Sequence, residues 1–422
     1  VFLSPERLED VRIGFKQRYK WLILAIMALS YFQVQFHRIS PSPLIPILMD
    51  ELGLTYAVAG LLSSAFFICY TSMQIPTGVL IETMGVKKIV LSFMALFTGG
   101  AVLFSQGRDV GTLLAARVIM GLGSSVIWVS TLKLISMWFP TEKRATATGL
   151  ANSAGGIGSF MAYIVLPFLS ATMGGWHTPY LAISSMLLIT MALLAIFLKD
   201  APTGMGSHAD SSHGNWSVVK ENIRDVLAVK ELRPFILASL IGGVGWALIL
   251  WMPKFLMDVR QLSYVDANLV SSSITVAMIP GGASIGFISD RLRKRKPPLV
   301  WGSIISAILL SIFVALPTGT SYVVMGFVGF AVGLFWSTWI LGFSMVSEIL
   351  PRKVLGTGLG IYNMCNFVSS IFAAPLLGGL VDWTQTYAAP ILLALSTLAI
   401  QILIFICLVK ETYLWNASLI GR

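Results

Sequence analysis

Arg38 lies in the middle of the first long apolar run of the chain. Inside a membrane helix an arginine costs roughly 2.5–3.5 kcal/mol on insertion scales, so it is expected to face a water-filled path, an opposite charge or a set of carbonyls. Tyr31, Gln35, Arg38 and Ser42 stand at i, i+4, i+7 and i+11. On a helix they share one polar face of an otherwise apolar cylinder. That face has the chemistry to hold an anion: a planar fork that matches a carboxylate in two bonds, with an amide and a phenol beside it. The other reading is a packing arginine bonded to carbonyls of a neighbouring helix. His37 points about 100° away from Arg38. It is a candidate proton carrier or a packed neutral ring.

Three more cations fall inside apolar runs: Arg117, Lys133 and Lys254. Arg117 reads as a bond-maker to carbonyls between helices, Lys133 as a guard at one end of its helix, and Lys254 as a side chain near a helix end that snorkels to the interface. All three are also candidate charge relays. Neutral candidates for a binding site are Tyr70 and Gln74 on one face of the second run, Asn152 in the fifth, Trp246 in the seventh, and Asn363, Asn366 and Ser370 in the eleventh. Asn152 precedes Gly155, Gly156 and Gly158, which permit close helix contact. Deep carboxylates are absent: Glu82, Asp290 and Glu348 all stand at helix ends. No proton carrier is therefore evident. Exchange, facilitated diffusion, or coupling to a proton through His37 or to a sodium ion all remain open. Cys69, Cys365 and Cys407 sit in apolar runs without metal-ligand spacing, so neither a metal nor a cofactor is expected. No nucleophile–base pair or phosphate loop points to an enzyme.

The elements that must position these residues are membrane helices. The 422 residues are 56% hydrophobic and 11% charged, against about 25% charged in a soluble domain, and the mean hydropathy is +0.82. Twelve apolar runs fall roughly at 21–46, 57–80, 88–106, 111–138, 145–172, 179–198, 234–257, 265–289, 299–316, 321–349, 353–380 and 386–409, each near the ~20 residues that a bilayer needs. The expected organisation is a basic lead over 1–20, a six-helix bundle over 21–198, a polar linker over 199–233, a second six-helix bundle over 234–409 and a tail over 410–422. The first run is too long for a signal peptide and lacks a small-residue cleavage site, so it is expected to stay as an anchor. Of the 29 Lys and Arg, four lie in the spans, Arg108 and Arg260 lie on one side, and the rest lie in loops on the other. That bias puts both termini in the cytoplasm. It also explains the net charge of +10 without a nucleic-acid partner. The bilayer is the surrounding partner.

The chain repeats itself. Gly78-Val-Leu-Ile-Glu82-Thr-Met-Gly85 follows the second run, and Gly286-Phe-Ile-Ser-Asp290-Arg291 follows the eighth. Such an echo at the same place in each half supports six plus six helices. These segments resemble the signature of the major facilitator superfamily, and the resemblance covers nearly the whole chain. It implies an all-α fold of twelve transmembrane helices in two pseudo-symmetric bundles, alternating access, and a monomer. It also implies a gating role for Gly78, Glu82, Gly85, Gly286, Asp290 and Arg291. In the first copy Glu82 replaces the usual Asp and Thr83 the usual Arg; the second lacks the later Gly. Arg117-Val-Ile-Met-Gly121-Leu-Gly123 resembles the fourth-helix motif of the same superfamily.

Within that superfamily the chain is most similar to the organophosphate:phosphate antiporters and the anion:cation symporters. The likeness rests on Arg38 before Pro43-Leu-Ile-Pro46, on Tyr70 and Gln74-Ile-Pro-Thr-Gly78, and on Trp138-Phe-Pro-Thr-Glu-Lys-Arg144. It implies that Arg38 is the first-helix substrate arginine and that Tyr31 and Tyr70 are aromatic site positions. The antiporters' second arginine corresponds to Gly245, their fifth-helix histidine to Asn152 and their second-helix lysine to Gln74. Without those partners a phosphate dianion is disfavoured, and a monocarboxylate or sugar acid is expected. The expected function is transport of a small organic anion across a prokaryotic inner membrane. The alternatives are an organophosphate/phosphate exchanger, an exporter of amphipathic drugs, or an anion receptor that moves nothing.

Overall fold

The computed structural model describes residues 5–200 and 216–413, and each regular element among them is a helix. The first half holds α1 (Pro5–Ile39), α2 (Pro41–Leu52), α3 (Tyr56–Ser72), α4 (Gln74–Met84), α5 (Val86–Gln106), α6 (Val110–Ser124), α7 (Ile127–Trp138), α8 (Thr141–Met173) and α9 (His177–Phe197). After α10 (Trp216–Ala228), the second half holds α11 (Arg233–Leu250), α12 (Met252–Arg260), α13 (Tyr264–Leu292), α14 (Lys296–Ala315), α15 (Tyr322–Trp336), α16 (Trp339–Ile349), α17 (Leu355–Thr384) and α18 (Ala388–Cys407). Residues 1–4 of the lead, 201–215 of the linker and 414–422 of the tail lie outside the described residues, as does the side chain of Glu82.

Eleven helical paths among the described residues are long and apolar enough to cross a membrane. The expected second span is not one helix. It breaks at Met73 into α3, which is apolar but short, and α4. The first span also departs from expectation. The lead is continuous with it in α1, and the helix then breaks at Ser40. The break follows from the sequence. Pro41 has no N–H to return to the His37 carbonyl, and the Ser40 hydroxyl bonds that carbonyl instead, at 2.8 Å.

The two halves pack alike. In the first, α1 lies along α8 and α9, α3 along α6, and α5 along α6 and α9. In the second, α11 lies along α17 and α18, α13 along α15, and α14 along α15 and α18. The breaks match too: α1/α2 with α11/α12, and α6/α7 with α15/α16. Two extensive pairs join the bundles, α3 with α17 and α8 with α13, and α2 meets α12 and α4 meets α17 more briefly. Close approach needs small residues where lipid supplies no hydrophobic drive. At Gly121 a methyl group would collide with the Phe66 carbonyl of α3.

The repeat extends to the end of the molecule where α1 begins and α18 finishes. There Asp200 accepts the Lys87 backbone N–H at the start of α5, and Lys87 Nζ reaches the Ala195 carbonyl at 2.7 Å. In the second half Glu411 accepts the N–H groups of Arg295 and Lys296 at the start of α14, and Lys296 Nζ reaches the Ile406 carbonyl at 2.7 Å. Both carboxylates answer exposed amides and a positive dipole end. Partial burial opposes the charge on Glu411. The backbone N–H groups of Arg295, Tyr413, Lys296 and Thr412 outweigh it and hold the carboxyl below its usual pKa.

Candidate functional site

The polar face of α1 expected to bind begins with Tyr31. Its ring lies 4.6 Å from Trp128 of α7 and against Gly155 of α8, where a Cβ would strike it. A glycine there lets the ring settle between three helices. The Tyr31 hydroxyl accepts from Gln35 Nε2 at 3.1 Å, and Gln35 Oε1 accepts from Arg38 Nη1 at 3.2 Å. Orientation thus passes along one helix face from a wedged phenol to the guanidinium.

Arg38 itself is half-buried. Its guanidinium carbon lies 4.9 Å from the Phe67 ring centroid, 5.1 Å from Tyr70 and 4.2 Å from Phe367. Phe67 and Tyr70 belong to α3 and Phe367 to α17, so both bundles wall the charge. Aromatic faces attract a cation through their quadrupole, by about 0.5–2 kcal/mol each, but they accept no strong hydrogen bond. Among the described residues no carboxylate lies within ion-pair distance of Arg38. The fork therefore retains donors for an incoming acceptor.

Arg117 of α6 is fully buried, and its environment is the opposite. Nε donates to the Leu62 carbonyl at 2.9 Å, Nη1 to His37 at 2.8 Å and Nη2 to Arg38 at 3.1 Å. Its guanidinium lies 4.5 Å from the Phe66 ring. It ties α1, α3 and α6 together. His37 is buried on the side away from Arg38. Its Nδ1 faces the Gln33 carbonyl at 2.9 Å and its Nε2 the Ser184 hydroxyl of α9 at 3.2 Å, with Phe97 and Tyr180 edge-on. That pattern suits a neutral ring protonated on Nδ1.

The other expected residues scatter. Gln74, just past the break at Met73, donates to the Tyr70 carbonyl at 3.3 Å. Asn366, beside Phe367, donates back to the Tyr362 carbonyl at 2.8 Å. Asn363 is half-buried on the same helix, and Asn152 is exposed on α8. Trp246 lies 6.1 Å from Trp336. Lys133 is exposed. Ser42, past the break at Ser40, donates to the Leu250 carbonyl at 2.6 Å and leaves the Arg38 face. Lys254 is ion-paired to Asp258 at 2.7 Å. Asp258 also accepts the hydroxyls of Tyr56 and Tyr387, at 2.7 and 2.6 Å.

In the segments expected to gate, Gly85 has φ of +81°, which only glycine adopts without strain. Asp290 pairs with Arg295 of its own loop at 2.5 Å, and Glu348 takes the same guanidinium at 2.9 Å. Burial disfavours the charge on Arg295, but the two carboxylates outweigh it and raise its pKa. Gly78 and Gly286 face open space, and Arg291 is exposed.

Sequence reasoning named Tyr70 but missed the rest of the aromatic wall, Phe67 and Phe367, and the Asp258 cluster. Phe67 lies three residues before Tyr70 on α3, a spacing that marks one helix face. Phe367 shares a face with Asn363 in the same way. Tyr56 and Tyr387 gave no local signal, because their shared partner is distant in sequence. Asp382 does comparable work: it accepts the N–H groups of Tyr56 and Ala57 at 3.0 and 2.7 Å, capping α3 from the opposite bundle.

The sequence profile described as Major Facilitator Superfamily matches residues 27–374. The chain belongs to the Major Facilitator Superfamily. It is a multi-pass membrane transporter rather than an enzyme. Among its superfamily relatives, the probable galactarate/D-glucarate transporter GudP of Bacillus subtilis (strain 168) is 24% identical, over 94% of this chain and 93% of that one. The probable sulfoacetate transporter SauU of Cupriavidus necator is 25% identical, over 91% and 93%. The D-galactonate transporter of Escherichia coli O6:H1 is 24% identical, over 84% and 86%. In fold, the chain matches the crystal structure of the D-xylose-proton symporter with a TM-score of 0.77 at 17% identity, over 93% of this chain and 99% of that one. It matches the nucleoside transporter NupG at 0.75 and 15% identity, over 92% and 100%.

Proposed function

We propose that this transporter carries a small carboxylate-bearing solute of the sugar-acid class, with Arg38 as the anchor for the carboxylate. One observation carries the reading: Arg38 is held in place by Gln35 and three aromatic rings, yet among the described residues no carboxylate neutralises it. A positive group between low-dielectric walls concentrates anions and repels cations, which disfavours export of cationic drugs. The names of the relatives fit, since galactarate, glucarate, galactonate and sulfoacetate are all anions.

Access follows from the ties between bundles. Among the described residues, the hydrogen bonds that cross the interface start at Ser42, Tyr56, Ala57 and Ser64 and end on Leu250, Asp258, Asp382 and Ile371. All lie on the side of Arg38 away from the chain termini. In this conformation the solute reaches Arg38 from the terminal end, which the Lys/Arg bias assigns to the cytoplasm. Alternation then requires those ties to break as bundles 21–198 and 234–409 rock about the linker 199–233. The loop segments around Gly85 and Asp290 lie at the terminal end and form the opposite gate, which closes as those ties break.

The test is a thermal-shift screen of the purified transporter against sugar acids, other carboxylates, sugar phosphates and inorganic anions, followed by counterflow in proteoliposomes with each hit. A ligand of the native state raises stability by mass action. Stabilisation and counterflow by sugar acids are expected. A response to sugar phosphates alone would move the reading to phosphate exchange, and binding without flux would make the chain a receptor.

A further inference from the structure

Beyond Arg38, three cations lie in the apolar runs, and the structure commits two of them, Lys254 and Arg117, to other partners. Lys254 is neutralised by Asp258 at 2.7 Å, and the Tyr56 and Tyr387 hydroxyls fill the carboxylate's other oxygen. Arg117 has spent its fork on three backbone carbonyls, two of them from His37 and Arg38, and is fully buried behind α1. Its field adds to the attraction of any anion at Arg38, but it offers that anion no contact. Lys133 is exposed, and helix rise places it far from Arg38. Trp128 meets Tyr31, which is seven residues below Arg38, and Lys133 lies five residues further toward the terminal end of α7. The two backbone positions are roughly 18 Å apart along the helix axes, and the exposed Lys133 ammonium stays hydrated, so it offers a second carboxylate only a screened, weak contact.

We infer that the site selects monoanions: it takes an acid with one carboxylate and a hydroxylated, uncharged remainder in preference to the diacid of the same carbon chain. This rests on the reading of Arg38 as a carboxylate anchor. The first carboxylate gains the guanidinium. A second, at the far end of the solute, meets the aromatic wall or the amides of Asn363 and Asn366, and a charge taken out of water without a counter-charge is strongly disfavoured. Hydroxyl groups at that end meet neutral amides without such a penalty. The inference divides the relatives' solutes. Galactonate is a monoanion at neutral pH, whereas galactarate and glucarate are dianions.

The experiment measures binding to the purified transporter at pH 7.5 with three ligands of one carbon skeleton: galactonate, galactarate, and the monoamide of galactarate. The monoamide keeps the length and polarity of the diacid with one charge. Galactonate is expected to bind roughly tenfold or more tightly than galactarate, and the monoamide is expected to recover most of the difference. Equal or tighter binding of galactarate would overturn the inference while leaving sugar-acid transport intact. Preference for galactonate with a monoamide as weak as the diacid would also overturn it, by showing discrimination of shape rather than charge. Failure of all three, with binding of some other anion in the same assay, would instead bring down the sugar-acid reading on which the inference stands.

Discussion

Two guanidiniums sit inside the first bundle, and their surroundings differ in kind. Arg117 donates to three carbonyls on two neighbouring helices and has no exposed surface. Arg38 makes one hydrogen bond, to a side chain on its own helix, and otherwise meets rings. The two are nearly in contact, since Arg117 bonds the backbone carbonyls of His37 and Arg38. A buried charge that saturates backbone acceptors organises structure; a half-buried charge with free donors waits for a ligand. The contrast supports the proposed division, folding for one arginine and binding for the other, and each substitution below tests it.

The largest effect is expected at Arg117. Pro41 gives the His37 carbonyl no helical N–H, so loss of the guanidinium leaves that acceptor to the Ser40 hydroxyl and strips Leu62 and Arg38 of a partner. Arg117→Ala is expected to cost on the order of 3 kcal/mol or more, read as a collapse in monodisperse yield or a large fall in melting temperature. A folded Arg117→Ala protein with normal melting and absent transport would reverse the division.

Next comes Arg38. Arg38→Ala is expected to fold, insert and melt close to the parent protein while losing counterflow below detection, because truncating one partner of a buried charge pair costs about 2–5 kcal/mol of binding. Arg38→Lys should keep weak activity, since an ammonium supplies charge without the planar fork. Near-normal flux through folded Arg38→Ala would return Arg38 to a packing role.

How much of this was legible beforehand varied with the range of the interaction. The helices were readable because a bilayer imposes length and apolarity on each span, and the six-plus-six repeat was readable because both bundles solve the same packing problem. The Tyr31–Gln35–Arg38 face was readable from helical spacing alone. The breaks at Met73, Trp251 and Ser337 were not, because small residues and proline weaken a helix without fixing where it yields. The sequence does read Arg117 as a bond-maker to carbonyls and Arg38 as an anion anchor; what it leaves open is which carbonyls lie within reach of Arg117, since Leu62, His37 and Arg38 are brought to it only by packing. By sequence alone Lys254 is a candidate relay, whereas in the structure it is paired. Asp258, one turn away, lies just past the expected end of its span and so did not read as a partner inside the membrane.

A smaller effect is expected at His37, which sits between the two roles. Its carbonyl serves Arg117, and its ring bonds Gln33 and Ser184 inside the bundle. His37→Gln keeps the carbonyl and loses ring packing and a hydrogen bond, about 1–2 kcal/mol of stability. Counterflow should persist, with an unchanged pH profile between pH 6 and 8, because the ring faces away from the anchor. Loss of a pH-dependent limb in the variant would make His37 a proton carrier and extend the functional region to the packed side of α1.

The smallest effects belong to the groups that orient or line Arg38. Gln35 accepts one hydrogen bond from the guanidinium and passes on the constraint from Tyr31. Gln35→Ala removes that constraint without removing the charge, so affinity should fall by the worth of about one hydrogen bond, roughly 1 kcal/mol or about fivefold. Tyr70→Phe should do less. The ring that faces Arg38 at 5.1 Å and stacks on Phe66 is retained, and only a hydroxyl is lost. Affinities for a sugar acid that stabilises the parent protein, measured by titration with each folded variant, should therefore rank Arg38→Ala weakest, then Gln35→Ala, then Tyr70→Phe close to the parent. If Tyr70→Phe instead matched Arg38→Ala, the Tyr70 hydroxyl would be a direct ligand of the solute, and the anchor would have to be redrawn as a guanidinium and a phenol acting together rather than a guanidinium held between rings.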